Sequence, residues 1–340
     1  EGVDMVVGAD EKFNLPELLQ NIDNKEKNKI HGCELKDLRY ESSFSLNERT
    51  RSFLKIQDGC DYPCTYCTIP LARGGSRCDS IENILSNVKH IGSKGIKEIV
   101  LTGINIGLYK DRKTNQKLLD LLYYLEDIKE IERFRISSIE PNLITDKTID
   151  FIASSKRFMP HFHIPMQSGS NEILGKMKRR YQKELYYEKI MRITDTIEDV
   201  CIGADVIVGF PGESEDLFTH TYEFIKSMPL SYLHVFPYSE RENTLAVNMD
   251  NSVDKSIRNE RSKKLRILSK KLEQQFYNKY LGQKRKVLIE NEKKNETLFG
   301  FTDNYIKVKI PYNNKYSSTI QNVFLDSIDK YGVVNGKIII

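Results

Sequence analysis

The chain has 340 residues, of which 39% are hydrophobic, and its 52 Lys and Arg residues against 48 Asp and Glu residues give a net charge of +4. This length predicts one large domain with smaller ones attached, and the nearly balanced charge excludes a chain that is basic throughout. The sequence has neither an apolar stretch long enough to cross a bilayer nor a signal-peptide core, so we expect a cytoplasmic protein with no membrane partner.

Residues 1–48 have the character of the end of a domain followed by a linker. Asp4–Gly8 predicts a short buried strand and turn, and Leu15–Leu19 predicts a short helix with Pro16 in its first turn. The polar segment 21–45, rich in Lys, Asn and Glu, predicts a linker or an exposed extended segment. Because the chain begins with Glu1 and not with Met, we expect it to be a fragment or a trimmed product.

Residues 49–275 alternate short apolar segments with helical patterns, six times in all. Repeated strand–helix units predict a parallel sheet with right-handed crossovers. Six units are too few for a closed eight-fold barrel, so we predict a partial (β/α)6 TIM-like barrel of the α/β class, with its active site at the carboxyl ends of the strands. The predicted strands are Phe53–Gln57, Glu98–Thr102, Phe134–Ser138, His161–Ile164, Ile202–Val208 and Tyr232–Phe236. The predicted helices are Ile81–Ile91, Leu118–Leu125, Thr145–Ser154, Glu184–Thr196 and Asp216–Met228.

Three of the six cysteines, Cys60, Cys64 and Cys67, fall within eight residues directly after the first predicted strand. Three thiolates can bind three irons of a 4Fe-4S cluster and leave the fourth iron open. A closed zinc site needs four ligands, usually in two separated pairs, and no second pair is present. The open iron can be chelated by the amino and carboxylate groups of S-adenosylmethionine (SAM), whose reductive cleavage yields a deoxyadenosyl radical. Three buried structural cysteines are the alternative.

The remaining cysteines and the histidines have plainer interpretations. Cys78 and Cys201 are expected to be small buried apolar residues, and Cys33 falls in the predicted linker. His161 and His163 share one face of the fourth strand. They could bind a metal, but packed core histidines are commoner, and no Asp or Cys lies at a suitable spacing.

Basic residues on the catalytic-end loops could contact RNA phosphate or the SAM carboxylate. For each one singly, a solvated surface position is the preferred interpretation. These residues are Arg73, Lys178, Arg179 and Arg180.

Residues after Val253 predict a long basic helix to about Tyr280 and then a small all-β module. Eight Lys or Arg residues and one Glu lie between Lys255 and Lys271, which favours either a polyanion-binding surface or a solvated helix face. The predicted strands of the module are Lys286–Ile289, Tyr305–Ile310 and Lys337–Ile340. Its aromatic residues Phe299, Phe301 and Tyr305 interleave with Lys307 and Lys309, a pattern that suits single-stranded RNA, and they could equally fill a small core. We therefore expect a domain at 49–275 and a second at 276–340.

The motifs together resemble the radical SAM methylthiotransferase family, most closely the branch that modifies N6-threonylcarbamoyladenosine in tRNA. The cysteine motif, with Tyr66 before its last cysteine, carries the superfamily resemblance, and the C-terminal module resembles a TRAM domain, a small RNA-binding barrel. The family motifs are Lys55–Cys60, Ile69–Gly74, Leu101–Asn105, His163–Ser170, Met177–Tyr181, Gly203–Glu213 and Phe236–Ser239.

The resemblance implies transfer of a methylthio group to carbon 2 of N6-threonylcarbamoyladenosine beside the tRNA anticodon. Methylthiolation of a ribosomal protein aspartate and an inactive RNA-binding fragment are the alternatives. The implied cofactors are SAM, one 4Fe-4S cluster in this chain, and a second cluster held by an amino-terminal domain of which residues 1–23 resemble only the tail. The implied partners are tRNA and an electron donor such as flavodoxin or ferredoxin, and we expect a monomer.

The resemblance also implies which residues surround SAM at the ends of the strands. Tyr66 would support the adenine, which the backbone of Val208 and Gly209 would flank. Ser138 and Glu140 would reach the ribose. Plain strand-to-helix turns are the alternative at these positions. The expected SAM contacts are Tyr66, Gly103, Asn105, Ser138, Glu140, Gln167, Val208 and Gly209.

Overall fold

A computed structural model describes residues 3–9, 11–20, 29–32, 38–46 and 50–339 of the chain. Strand β1 (Met5–Val7), helix α1 (Leu15–Gln20) and strand β2 (Lys29–His31) come first, and β1 pairs with β2 in parallel. Strand β2 lies in the segment predicted to be a linker or an exposed extended segment, and its Ile30 is 77% exposed. Cys33 lies outside the described residues.

The middle of the chain forms the predicted partial barrel. In chain order its strands are β3 (Ser43–Phe44), β4 (Ser52–Lys55), β5 (Gln57–Asp58), β6 (Arg77–Cys78), β7 (Glu98–Thr102), β8 (Arg133–Ile136), β9 (His161–His163), β10 (Cys201–Val208) and β11 (Tyr232–Pro237). Strands β4, β7 and β8 pair in parallel, as do β9, β10 and β11. Isolated parallel bridges join the two sheets at Phe134–Phe158 and Ser138–His163. This arrangement confirms the six-stranded parallel architecture.

Helices cover the outer face of this curved sheet. They are α2 (Ile69–Arg73), α3 (Ile81–Ser93), α4 (Leu118–Glu126), α5 (Asp146–Ser154), α6 (Asn171–Lys176), α7 (Lys183–Thr196) and α8 (Glu215–Lys226). The sequence analysis missed α2 and α6, since each is too short to show helical periodicity. Helix α3 shows why the longer ones form: the Ser80 side chain accepts a hydrogen bond from the Asn83 amide at its start. Its buried residues then follow helical spacing, and they are Ile81, Ile84, Val88 and Ile91.

Strand β4 ends two residues earlier than predicted. Gln57 and Asp58 instead pair antiparallel with Arg77 and Cys78, which closes a hairpin-like loop over the cysteine motif. Upstream of this turn, Leu54 is fully buried in the core under the helices. The side chain of Lys55 lines a cavity on the inner side of the sheet, as the alternation of a strand requires.

Helix α9 (Lys255–Asn278) is the predicted basic helix, and it ends two residues before Tyr280. Two of its arginines are not on a solvated face. Arg258 and Arg261 are 3% and 4% exposed, and Arg261 lies 2.8 Å from the buried Glu213 carboxylate. Part of the basic run therefore fixes the helix to the barrel. In the described residues no helix is long and apolar enough to cross a membrane.

The C-terminal module is a closed five-stranded barrel. Its strands are β12 (Lys284–Lys294), β13 (Thr297–Thr302), β14 (Lys307–Pro311), β15 (Ile320–Ile328) and β16 (Val334–Ile338), joined in the order β12–β13–β14–β16–β15. The predicted small β barrel is confirmed, although the sequence analysis missed β13 and β15, whose apolar residues alternate only weakly. The aromatic end of α9, at Phe276 and Tyr277, packs on the barrel core.

Two buried arginines join the small barrel to the floor of the large one. Arg133 donates to the backbone oxygens of Phe301 and Lys286 at 3.3 and 2.9 Å. Arg135 donates to those of Asp303 and Thr302 at 2.8 and 2.7 Å. These side chains are at most 4% exposed.

The Glu98 carboxylate lies at the centre of this floor and is fully buried. It accepts from Arg135 Nε at 2.7 Å and lies 3.7 Å from Arg133 and 3.8 Å from Arg51. One carboxylate therefore faces three guanidinium groups. Backbone oxygens of the small barrel accept further hydrogen bonds from Arg133 and Arg135, and the Glu290 carboxylate accepts one from Arg51.

Two aromatic residues considered for RNA stacking lie at this joint. The ring of Tyr305 stacks on His161 with centroids 4.2 Å apart, and Phe301 stacks on Tyr305 at 4.8 Å. Arg51 covers the other side of Phe301 at 4.8 Å. Both aromatics thus contact the large barrel, a position that the sequence analysis did not foresee, and Tyr305 also packs against the core of the small barrel, as one of its two interpretations expected.

Candidate functional site

The three clustered cysteines lie on one loop between β5 and α2. All three are free and partly buried, and the amide of Cys67 donates to the carbonyl of Cys64 at 3.1 Å. Thr65 ties the loop to the end of α6, because its amide and hydroxyl donate to the carbonyls of Met177 and Lys176 at 3.2 and 2.9 Å. The loop is thus held at the carboxyl edge of the sheet, where the sequence predicted it.

The carbonyl groups of Gly74 and Gly75 lie against the start of the cysteine loop. The amide of Cys60 donates to the Gly74 carbonyl at 3.1 Å, and Gly59 has a left-handed φ of 71°. A Cβ on Gly59 would lie 2.0 Å from the Gly75 carbonyl oxygen and 2.8 Å from that of Gly74. Only glycine fits where these backbone segments cross.

A Gly59→Ala variant should lose most of the iron bound at this loop. The added methyl group meets two backbone oxygens, and the left-handed φ adds on the order of 1–2 kcal/mol for a residue other than glycine. Iron and sulfide assays after anaerobic reconstitution measure the effect. Gly95→Ala is the matched control, since Gly95 also has a positive φ, of 82°, but its Cβ would meet no atom within 4 Å. Equal iron content in both variants would contradict the structural reason.

The other described cysteines have separate environments. The Lys110 amide donates to Cys78 Sγ at 3.4 Å, and Cys201 is 2% exposed beside the C-terminal core. Burial raises the pKa of the Cys78 thiol, and burial raises that of Cys201 to about 12. Both are buried residues, as predicted. The donor set at the loop is therefore three thiols, which suits a cluster with one open iron.

Arg179 lies against this loop and is the largest correction to the sequence analysis, which placed it on the surface. Its side chain is 3% exposed. Its Nη1 donates to Cys64 Sγ at 3.2 Å and to the Tyr66 hydroxyl at 3.4 Å, and Nη2 pairs with the Glu140 carboxylate. The family motif Met177–Tyr181 contained the residue, but its spacing carried no signal of burial.

Gln57 was also missed as a site residue. It is fully buried, and its Nε2 donates to the Gly59 carbonyl at 2.7 Å. Its Oε1 accepts from the Asn105 amide at 2.9 Å. Gln57 therefore braces the cysteine loop against the loop that follows β7.

Asn105, one of the expected SAM contacts, is a buried residue whose side chain is unpartnered in the described part of the chain. Asn105 is 4% exposed, yet neither its Oδ1 nor its Nδ2 has a hydrogen-bond partner among the described residues. A buried amide without partners is costly, so this group points to a polar ligand. The neighbouring Gly103 has Gln57 Oε1 2.9 Å from the position of a Cβ, which leaves room for backbone only.

The other expected SAM contacts lie at the same edge of the sheet, and they differ in their interactions with protein groups. Glu140 is paired with Arg179, and burial raises its pKa. Ser138 is partly exposed and lines a cavity inside the barrel. Gln167 has a left-handed φ of 63°, and its backbone bonds to β10.

Val208 and Gly209 are bound to protein groups. The Val208 carbonyl accepts from the Tyr238 amide at 2.8 Å, and the Gly209 amide donates to the Glu213 carboxylate at 2.6 Å. The Gly209 amide is therefore already occupied by a protein acceptor.

A polar cluster lies deeper in the barrel. His163 Nε2 and His234 Nδ1 lie 2.8 and 3.3 Å from Asp205 Oδ1. Tyr232 OH lies 3.2 Å from His163 Nδ1 and 3.0 Å from His161 Nε2. The sequence analysis found no Asp partner for these histidines, since Asp205 comes from another strand.

The charges of this cluster are fixed by its surroundings. Burial raises the pKa of Asp205, but hydrogen bonds from His163 and His234 lower it to about 2. Burial holds the pKa of His161 well below its usual value. An ionised carboxylate between imidazoles therefore faces a cavity of about 410 Å³.

The sequence of the chain is similar to those of known proteins. The model of the radical SAM superfamily matches residues 54–225. The threonylcarbamoyladenosine tRNA methylthiotransferase MtaB of Bacillus subtilis (strain 168) is 39% identical over 318 residues, covering 90% of this chain and 70% of the relative. A tRNA-2-methylthio-N(6)-dimethylallyladenosine synthase of Thermoanaerobacter pseudethanolicus is 35% identical, covering 87% of this chain and 63% of the relative.

Solved structures also resemble part of the chain. The radical SAM methyltransferase TsrM of Kitasatospora setae, solved with cobalamin and a 4Fe-4S cluster, aligns with a TM-score of 0.49 and 13% identity. That alignment covers 57% of this chain and 35% of TsrM.

Proposed function

This chain belongs to the radical SAM methylthiotransferases, and on that premise we propose that it adds a methylthio group to carbon 2 of N6-threonylcarbamoyladenosine in tRNA. The observation that supports this most is the match to the MtaB enzyme, at 39% identity over 90% of the chain. That match extends beyond the shared superfamily region at 54–225. The cofactors are SAM and a 4Fe-4S cluster, which supply the one-electron chemistry when bound.

We assign the cluster to Cys60, Cys64 and Cys67. Three partly buried thiols on one loop support this assignment, as does the tight backbone crossing at Gly59. The Arg179 guanidinium beside Cys64 Sγ places a positive charge next to the thiolates. Burial raises the pKa of the Cys64 thiol, and the positive charge of Arg179 acts against that rise.

For SAM we propose a position between the cysteine loop and the loop after β7. The unpartnered amide of Asn105 offers both a donor and an acceptor there, and Gly103 allows close backbone approach. Glu140, Ser138 and Gln167 border the same edge. Tyr66 and the backbone of Val208 and Gly209 supply the packing contacts.

The remaining assignments concern the rest of the molecule. We propose domains at 49–275 and 276–340, preceded by the segment 1–48, and a second cluster bound by the complete enzyme outside this chain. The small barrel at 276–340 contributes to tRNA binding through its lysines. A low-potential donor such as flavodoxin or ferredoxin supplies electrons, and the enzyme acts as a monomer in the cytoplasm.

Deleting the gene tests the function. Nucleosides from bulk tRNA of the deletion strain are separated by liquid chromatography and identified by mass spectrometry. They should lack the methylthio derivative of threonylcarbamoyladenosine and retain threonylcarbamoyladenosine itself. Complementation with the intact gene should restore it. Unchanged tRNA with loss of methylthioaspartate from a ribosomal protein would overturn the assignment, and loss of the methylthio dimethylallyl nucleoside would reassign the substrate.

A further inference from the structure

A cavity of about 630 Å³ opens beside the cysteine loop, and we call it the rim cavity. Its wall includes Gln57, which leads into the cysteines, and Gly103 at the proposed SAM position. Lys55 and Arg73 line it from β4 and α2, and Ser43 lines it from β3. The rim cavity therefore adjoins the place where the reacting atoms must meet.

The rim cavity has more positive than negative charge. The Asp58 carboxylate is shared by four cations, at 3.6 Å from Lys12 and from Lys55, 3.2 Å from Arg73 and 3.3 Å from Arg77. Among the residues that the structure describes, this one carboxylate cannot neutralise four cations, so a further anion would be stabilised here.

Among those of the four cations that have few other partners in the described part of the chain, Lys55 is the most buried. Its side chain is 17% exposed, and its Nζ lies over the rings of Tyr40 and Phe13 at 5.1 and 5.5 Å. Arg77, by contrast, also donates to the backbone oxygens of Arg39, Arg73 and Gly75. A partly desolvated ammonium that shares its carboxylate gains most from a new anionic partner.

The relatives point to what that anion is. One acts on a nucleoside with an N6-threonylcarbamoyl group, which ends in a carboxylate, and another acts on a nucleoside with an apolar dimethylallyl group at the same nitrogen. N6 is bonded to carbon 6, which lies in the same six-membered ring as carbon 2 and is separated from it only by N1. A substituent on N6 must therefore lie close to the reacting carbon when the base is bound.

We propose that Lys55, with Arg73 beside it, binds the threonyl carboxylate of the substrate in the rim cavity and so selects threonylcarbamoyladenosine over nucleosides with apolar substituents. This inference rests on the proposed function. A phosphate of the tRNA backbone is the other source of an anion. The position of Lys55 on an inner barrel strand favours the base, which an anticodon loop can extrude, over the backbone.

The test measures binding of anticodon stem-loop RNA to the complete enzyme with its clusters reconstituted. Lys55→Met keeps the length of the side chain and removes its charge. It should weaken binding of threonylcarbamoyladenosine RNA by roughly 10- to 100-fold, the value of a charge-assisted hydrogen bond. Lys55→Arg should recover part of the loss. Lys89→Met is the matched control, because Lys89 is an exposed lysine on α3.

A second RNA, with the threonyl carboxylate capped as a methylamide, separates the two sources. The intact enzyme should bind it as weakly as Lys55→Met binds the natural RNA, and Lys55→Met should lose nothing further on it. If Lys55→Met instead weakened both RNAs and an unmodified stem-loop by the same factor, Lys55 would contact a phosphate and the proposal would be wrong. Unchanged binding in Lys55→Met would also overturn it.

Reductive SAM cleavage without RNA should be the same in the control Lys89→Met and in the intact enzyme, which shows that each preparation carries a working cluster. Methylthiolation by the intact enzyme is scored separately from binding. An intact enzyme that binds the natural RNA in preference to the capped one but never methylthiolates it would refute the proposed function and leave the carboxylate contact supported.

Discussion

The Cys64→Ala variant should bind no cluster at the catalytic loop and should form no deoxyadenosine. Two thiolates cannot hold three irons of a cubane with one iron left for SAM. Cys64 is the thiol that Arg179 contacts at 3.2 Å, so its loss also leaves a buried guanidinium without one of its partners. Iron and sulfide content after anaerobic reconstitution, and deoxyadenosine formed with dithionite and SAM, measure the result.

The control for this prediction is Cys78→Ala. Cys78 lies on β6, paired with Gln57 and therefore near the loop, but its Sγ accepts from the Lys110 amide. This variant should retain the cluster and the cleavage of SAM at a modest cost in stability. Deoxyadenosine formation by Cys64→Ala, or zinc with four protein donors at the loop of the unaltered protein, would refute the assignment of the ligands.

A Glu98→Gln variant should lower the free energy of unfolding by about 3–5 kcal/mol, the usual cost of removing one partner of a buried ion pair. Glu98 is the fully buried carboxylate among Arg51, Arg133 and Arg135. Glutamine has nearly the same shape, so the change isolates the charge. Chemical denaturation followed by circular dichroism measures the loss. Limited proteolysis should also cut between the two barrels sooner, because the arginines that join them would repel one another.

Glu290→Gln is the matched control for this prediction. Glu290 also pairs with Arg51, at 3.1 Å, but its side chain is 29% exposed, and exposed pairs contribute about 0–1 kcal/mol. If both variants lost the same stability, the buried position of Glu98 would not be the reason for its effect.

The repeating architecture was accessible from sequence because alternation and helical spacing are local. Strand β10 was predicted as Ile202–Val208 and runs from Cys201 to Val208. The end of β4 was not predicted, since Gln57 leaves the sheet to pair with Cys78, a contact made by distant residues. Spacing alone does not report such pairings.

The cysteine loop was predicted from its motif, while the residues around it depended on tertiary structure. Nothing in the sequence distinguishes Arg179 from its exposed neighbours Lys178 and Arg180. In the structure its side chain is buried against Cys64. Asp205 and His234 reach His163 only because three parallel strands lie side by side. Phe301 and Tyr305 were ambiguous because a small barrel can face RNA, its own core or another domain.

The seam between the two barrels has a consequence for how such modules can be exchanged. Part of it consists of hydrogen bonds from arginine side chains to main-chain oxygens at Lys286, Phe301, Thr302 and Asp303. Every residue type provides such an oxygen. Side chains of the small barrel that do not contact the large barrel can therefore diverge without loosening the seam, whereas Glu290, Phe301 and Tyr305 are constrained by their contacts with Arg51 and His161. A foreign five-stranded barrel with the same backbone path and these three side chains could be grafted in its place, whereas replacing either arginine would end that interchangeability.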